Sequence, residues 1–191
     1  MKKKIKDGLL SGYLRKARFN IATKYLKGKN LLDIGCDEGH IIPFIPKKIK
    51  YSGLERNEAM LIKAKKKYPK IVFHDLEINP NNISNLKLGK YDNILLLAVI
   101  EHMNNPIKFL LCLNQLLNEK GRIIITSPSK SSDLILRIMS FFRLARNDKH
   151  EHEFYVNNKM MSKLYKSGKF KKIKYKKFQF GLNQLWVIEK V

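Results

Sequence analysis

Short β-branched or leucine-rich runs alternate along this chain with longer amphipathic stretches, and no other feature constrains the fold as much. Strands separated by helices return in the same direction, so repeated alternation specifies a mostly parallel sheet covered on both faces. Residues 11–27 read as a leading helix, and 30–35 as a first strand of the kind buried on both faces. Strands are expected at 51–55 and 71–75, around a helix at 57–68 that Asn57 caps and Pro69 stops. The fourth strand, 91–98, is the most apolar. A helix over 106–118 follows, with apolar positions 107, 110, 113, 116 and 117 at helical spacing. Gly121 opens a fifth strand, 122–127. A helix at 157–167, capped by Asn157 or Asn158, precedes two strands at 172–178 and 185–190 that Phe180, Gly181, Leu182 and Asn183 join as a hairpin. The expected fold is α/β: a single, doubly wound, Rossmann-like sheet of seven strands with an antiparallel strand at the C-terminal end.

At 191 residues, with no Gly/Ser- or Pro-rich linker and no repeat, the chain is expected to form one domain over 1–191, with a helical segment at 1–28 and a cap or lid at 129–156. The longest apolar run, from Ile94 to Ile100, is seven residues, against the ~20 needed to span a bilayer. The basic start, Met1 to Lys6, is followed by no apolar stretch that would make it a secretory signal. Two cysteines, Cys36 and Cys112, make no disulfide framework and suit a reducing, cytoplasmic setting.

The net charge of +23 comes from 39 basic residues, of which 32 are lysine and 7 arginine. Recognition of phosphate or bases leans on the planar arginine fork, so a lysine coat identifies no nucleic-acid partner, although it attracts anions. Lys172, Lys174 and Lys176 alternate along a strand, the pattern that protects a sheet edge from pairing.

The strongest chemical signal runs from Leu31 to His40, LLDIGCDEGH, a buried strand entering glycines and then a helical start. Glycine lets backbone approach a ligand closely. The spacing Gly35-x-Asp37-x-Gly39 is not the G-x-G-x-x-G of dinucleotide sites, and its carboxylates would repel a pyrophosphate. A positively charged ligand without phosphate suits this loop, and Asp33 could hold the loop or bind an ammonium.

With these residues the chain resembles the class I S-adenosylmethionine-dependent methyltransferases, particularly the small ubiquinone/menaquinone-biosynthesis-like branch (methyltransferase type 11). Asp33, Gly35 and Gly39 meet the family pattern D-x-G-x-G-x-G, and Asp37 departs from it at the middle glycine. Gly53-Leu54-Glu55, His74-Asp75-Leu76, Ala98 to His102 and Leu116 to Arg122 resemble later family stretches in the same order. The resemblance covers residues 28–128 and, more loosely, 150–170. It implies S-adenosylmethionine as cofactor, with S-adenosylhomocysteine as product. It also implies a cofactor site of Asp33, Gly35, Cys36, Gly39, Glu55, Arg56, Asp75, Leu76 and Ala98. Glu55 would meet the ribose hydroxyls, as a carboxylate can accept from two vicinal hydroxyls, and Asp75 with Leu76 would meet the adenine.

Catalysis by such an enzyme is alignment of the acceptor plus removal of a proton where one must leave. Glu101 and His102 follow the fourth strand and are the expected catalytic residues, His102 as the base. His152 and Tyr155 are expected on the acceptor side. The run His150-Glu151-His152-Glu153 specifies no third ligand, so no metal is expected. Read as a helix, residues 133–146 would gather an apolar arc with Arg143 and Arg146 opposite, which suits a cap helix, a lid over an apolar acceptor or peripheral contact with anionic lipid. The acceptor is expected to be a small molecule or a sugar- or lipid-linked group methylated on oxygen by a monomer or homodimer. An RNA-modifying enzyme using the basic surface, and a non-catalytic protein keeping the fold, are the alternatives.

Overall fold

The computed structural model describes residues 11–129 and 155–191. Strands β1 (Asn30–Ile34), β2 (Lys50–Leu54), β3 (Val72–His74), β4 (Tyr91–Leu97), β5 (Leu117–Pro128), β6 (Phe170–Phe178) and β7 (Asn183–Lys190) form one sheet in the order β3-β2-β1-β4-β5-β7-β6. Strands β1 to β5 pair in parallel, and β7 inserts between β5 and β6 antiparallel to both. The chain runs from β1 outward to β2 and β3 on one side, then crosses back to β4 on the other side of β1. That reversal opens a crevice at the carboxyl ends of β1 and β4, where ligands of doubly wound sheets bind.

Among the described residues, four helices cover the sheet: α1 (Ser11–Thr23), α2 (Glu58–Lys67), α3 (Pro106–Leu113) and α4 (Asn158–Lys166). Alternate strand residues feed two separate apolar cores. Leu32, Ile94, Leu96, Ile123 and Trp186 pack with α3 and α4. Leu31, Leu95, Ile124 and Val187 pack with Phe19 and Ala22 of α1 and with Leu61 and Ala64 of α2. Cys36 and Cys112 lie in these opposite cores, both as free thiols. Asn57, Asn105 and Asn157 cap α2, α3 and α4, each accepting from the backbone N–H three residues on, at 3.3, 3.0 and 3.0 Å.

Several boundaries correct the sequence reading. Helix α1 ends at Thr23 rather than at residue 27, because the chain must turn to deliver Asn30 to the sheet. Gly28 is left-handed, and Asp92 accepts from the N–H groups of Lys29 and Asn30 at 2.6 and 3.0 Å. Helix α3 ends at Leu113, tightens into a 3-10 turn to Leu116, and β5 opens at Leu117 opposite Tyr91. The apolar spacing that suggested a longer helix is instead core contact from a turn and a strand. Strand β6 starts at Phe170, and β7 at Asn183, the last residue assigned to the hairpin turn. β6 is an edge strand with exposed lysines at 171, 172, 174, 176 and 177. Among the described residues, no helix is long and apolar enough to cross a membrane. Residues 133–146 and His152 lie outside the described residues.

Candidate active site

At the carboxyl end of β1 the backbone turns back on itself. Gly35 and Cys36 both donate to the Leu54 carbonyl oxygen, at 2.8 and 3.1 Å, and Gly39 donates to that of Cys36 at 2.9 Å. Gly35, Asp37 and Gly39 all lie in the left-handed region, at φ 74°, 50° and 72°. The middle position therefore keeps the backbone of the glycine it lacks, and aspartate is among the few residues that visit this region readily. A Cβ at Gly35 would sit 2.7 Å from Val99, so the β1 loop rests directly on the turn after β4.

Glu55, half-buried at the end of β2, braces this loop. Its Oε2 accepts from the Asp37 N–H at 3.0 Å and its Oε1 from the Asn57 N–H at 2.8 Å. One carboxylate thus ties the loop to the start of α2 and keeps further lone pairs for a ligand. Asp33 is buried and accepts from the Tyr51 hydroxyl at 2.7 Å. Burial pushes its carboxyl up to about 7 against that bond, with Glu55 and Asp37 adding like charge. Burial likewise raises the Cys36 thiol, which leaves it a neutral wall rather than a nucleophile. Glu38 points elsewhere: its Oε1 accepts from Lys63 at 2.6 Å, and His40 lies 3.7 Å from its Oε2.

Asp75 is exposed just beyond β3, with Leu76 half-buried against the core beside it. The Glu55 N–H donates to the His74 carbonyl at 3.2 Å, which ties these neighbours to the brace. Arg56 turns outward and pairs with Glu77 at 3.3 Å. Ala98 is left-handed at φ 61° and donates to the Thr126 carbonyl at 2.9 Å, an uncommon conformation for alanine that re-aims the chain into a 3-10 turn, Ile100–His102.

That turn separates the two expected catalytic residues. His102 is exposed, whereas Glu101 is only 2 % exposed, its Oε2 has no hydrogen-bond partner and burial pushes its carboxyl up to about 7. Tyr155 is half-buried, and the next carbonyl, Val156, accepts from Gln184 Nε2 at 2.6 Å, so this segment is anchored to β7. A cavity of about 240 Å³ lies beyond His102, between the N-terminal ends of α3 and α4, lined by Asn104, Asn105, Lys159 and Lys163 among others.

The structure thus brings Asp33, Gly35, Cys36, Gly39 and Glu55 into one cluster, and the turn after β4 that carries Ala98, Glu101 and His102 meets it at the Gly35–Val99 contact. Two residues escaped the sequence reading. Tyr51, the partner of Asp33, lies two residues before Gly53, which is in register with Asp33, so strand alternation puts it on the same face. Arg18 follows Leu14 and precedes Ala22 at helical spacing, a charge on the face that α1 buries.

A methyltransferase-domain family profile matches residues 9–171. No curated protein matches the chain. Among solved structures, the plantazolicin methyltransferase BpumL, in complex with a monoazolic desmethylPZN analog and SAH, superposes with a TM-score of 0.69 at 16% identity, covering 95% of this chain and 85% of its own. Its counterpart BamL, in complex with a triazolic analog and SAH, gives 0.66 at 16% identity over 93% and 83%. The magnesium protoporphyrin IX methyltransferase ChlM from Synechocystis PCC 6803, with bound SAM, gives 0.62 at 16% identity over 94% and 79%. With the family profile spanning most of its length and the sheet order found above, the chain belongs to the methyltransferase-domain family, the S-adenosylmethionine-dependent methyltransferases of class I.

Proposed function

We propose that this chain transfers a methyl group from S-adenosylmethionine to an oxygen of a small-molecule, sugar-linked or lipid-linked acceptor. The observation that carries the cofactor assignment is the loop 35–39, left-handed at every second residue and braced by Glu55. Its donor set fits the group. Asp37 and Glu55 put negative charge at the loop, with Asp33 buried behind them, which favours a sulfonium and opposes a phosphate. When bound, S-adenosylmethionine supplies an electrophilic methyl group on that sulfonium.

The chain's own residues then bind and orient. Gly35 and Gly39 allow close backbone approach, Cys36 contributes a neutral wall, and Glu55 offers its remaining lone pairs to the ribose hydroxyls. Asp75 and Leu76 present a polar and an apolar surface to the adenine, with Arg56 at the rim, and Ala98 shapes the floor. His102, exposed at the carboxyl end of β4, takes the proton that an oxygen acceptor must lose. Tyr155 serves the acceptor side. Methylation on oxygen agrees with an exposed imidazole at the carboxyl end of β4.

The acceptor is tested by incubating the protein with S-adenosylmethionine tritiated on the methyl group and fractionated cell extract. Label is expected in the small-molecule or lipid fraction. Label confined to RNA would overturn this acceptor class and assign the basic surface to nucleic acid.

A further inference from the structure

The hairpin that joins β6 to β7 turns its aromatic residue outward. Gln179, Phe180 and Gly181 are all left-handed, at φ 53°, 55° and 83°, and Phe180 is fully exposed. A bulky side chain seldom takes that backbone, and a phenyl ring left in water forfeits its burial. The turn is nonetheless held firmly. Ser129, at the end of β5, donates from Oγ to the Gly181 carbonyl at 2.5 Å and from its N–H to that of Leu182 at 2.9 Å. Gln179 Nε2 donates to the Leu14 carbonyl of α1 at 2.8 Å, and Asn183 Nδ2 to Gln179 Oε1 at 2.6 Å. This clasp sets Phe180 near the start of α1, where Tyr13 is 69 % exposed and Lys16, three residues on, shares its outward face.

Strand β6 continues this surface with charge. Lys174 and Lys176 pair with Val187 and Leu185, which lie in the core beneath α1, so both lysines stand on the α1 face of the sheet. Both are exposed, on an edge that no further strand covers. Neither they nor Lys16 join an ion pair among the described residues. β6 holds no acidic residue. An apolar ring at a turn tip, flanked by ammonium groups, matches the boundary between head groups and acyl chains of an anionic bilayer. Single-stranded nucleic acid asks instead for aromatic rings laid along a face as stacking platforms. Here Tyr175 of β6 is turned to the opposite face and packs on Trp186 at 4.1 Å, and Phe178 is half-buried against the α1 core. We propose that this rim, Phe180 and Tyr13 with Lys16, Lys174 and Lys176, docks the protein on an anionic phospholipid surface, Phe180 entering below the head groups. Asn183, which closes the turn, pairs with Pro128 at the carboxyl end of β5, the edge of the sheet that bears the glycine loop. A docked chain thus offers its crevice to a lipid-borne acceptor. Docking itself needs no cofactor and stands independently of the methyl-transfer reading.

Co-sedimentation of the full chain with phosphatidylcholine vesicles, with and without about 30% phosphatidylserine, at about 0.1 M salt tests it. Binding is expected to the anionic vesicles alone. Phe180→Ser is expected to weaken it at least about fivefold, and Lys174→Gln with Lys176→Gln at least about tenfold. Lys65→Gln with Lys66→Gln removes the same charge from α2, which borders β3 at the opposite edge of the sheet, and should weaken binding less than about twofold. All five positions are exposed, so these variants keep the fold. In Phe180→Trp the added indole emission should shift to the blue on anionic vesicles, whereas the wild type, with Trp186 buried, should not change. Equal losses in the two lysine pairs, no loss in Phe180→Ser, or no blue shift would assign binding to the lysine coat at large and overturn the docking rim. Failure to bind anionic vesicles would overturn it too, and uptake of single-stranded RNA in that case would assign the face to nucleic acid.

Discussion

Replacing Glu55 with alanine separates the two tasks assigned to this residue. The substitution removes two hydrogen bonds to a carboxylate, from Asp37 N–H at 3.0 Å and Asn57 N–H at 2.8 Å. Bonds to charged groups contribute about 1.5–3 kcal/mol each when buried, and half-exposure with water access reduces that to about 1 kcal/mol each. A loss of about 2 kcal/mol lowers the Tm of a domain this size by about 4–8 °C, readable by calorimetry or fluorescence melting. Affinity for S-adenosylhomocysteine should fall at least about tenfold, or about 1.4 kcal/mol, because the ribose contact goes and the loop must be ordered by the ligand. Glu55→Gln keeps one acceptor oxygen and should lose about half of the Tm effect. An unchanged Tm in Glu55→Ala would refute the brace, and an unchanged affinity would refute the ribose contact.

Three further outcomes follow from the same geometry. Asp33 and Glu101 hold carboxyls that burial pushes up to about 7, so the native state keeps protons that the unfolded chain releases near pH 4. Their contribution to stability is complete below about pH 4 and is lost as pH rises through about 7. Tm should therefore fall between pH 5 and 8, less so in Asp33→Asn with Glu101→Gln, and a Tm rising across that window would contradict the assignment. Gly53→Ala places a Cβ 2.7 Å from both Cys36 Sγ and Phe73 Cδ1, and should cost about 1–3 kcal/mol by overpacking; an unchanged melting curve would refute the contact. Asp37→Gly should leave S-adenosylhomocysteine affinity within about twofold, because residue 37 already has the backbone of a glycine, and a much larger gain would show that the aspartate distorts the loop.

Features written in local chemistry were legible in the sequence. The run Leu31 to Gly35 and the glycine spacing after it placed β1 and its loop, and Asn57 and Asn157 marked the helix starts that they cap. Features that depend on distant partners were not. Nothing near Glu55 announces that its carboxylate braces residues 37 and 57, and nothing near Asp33 names Tyr51. The end of α3 was misplaced because a 3-10 turn and an incoming strand keep the same apolar positions buried as a longer helix would. Glu101 and His102 are adjacent in sequence, and only the turn geometry shows that one is buried and the other exposed. Arg18 carried a readable signal, a charge at a core-facing helical position, but its partner Asn183 lies 165 residues away in sequence. The net charge of +23 falls largely on exposed lysines, such as those of edge strand β6, while the crevice at β1 and β2 is acidic.

The central claim, a sulfonium-accepting crevice formed by the loop 35–39 and Glu55, is tested most directly by titrating the intact protein with S-adenosylmethionine in a calorimeter. The account predicts saturable binding of one ligand per chain with a Kd below about 100 μM, weakened by Glu55→Ala. A correctly folded protein that takes up no ligand at high micromolar concentration would contradict it.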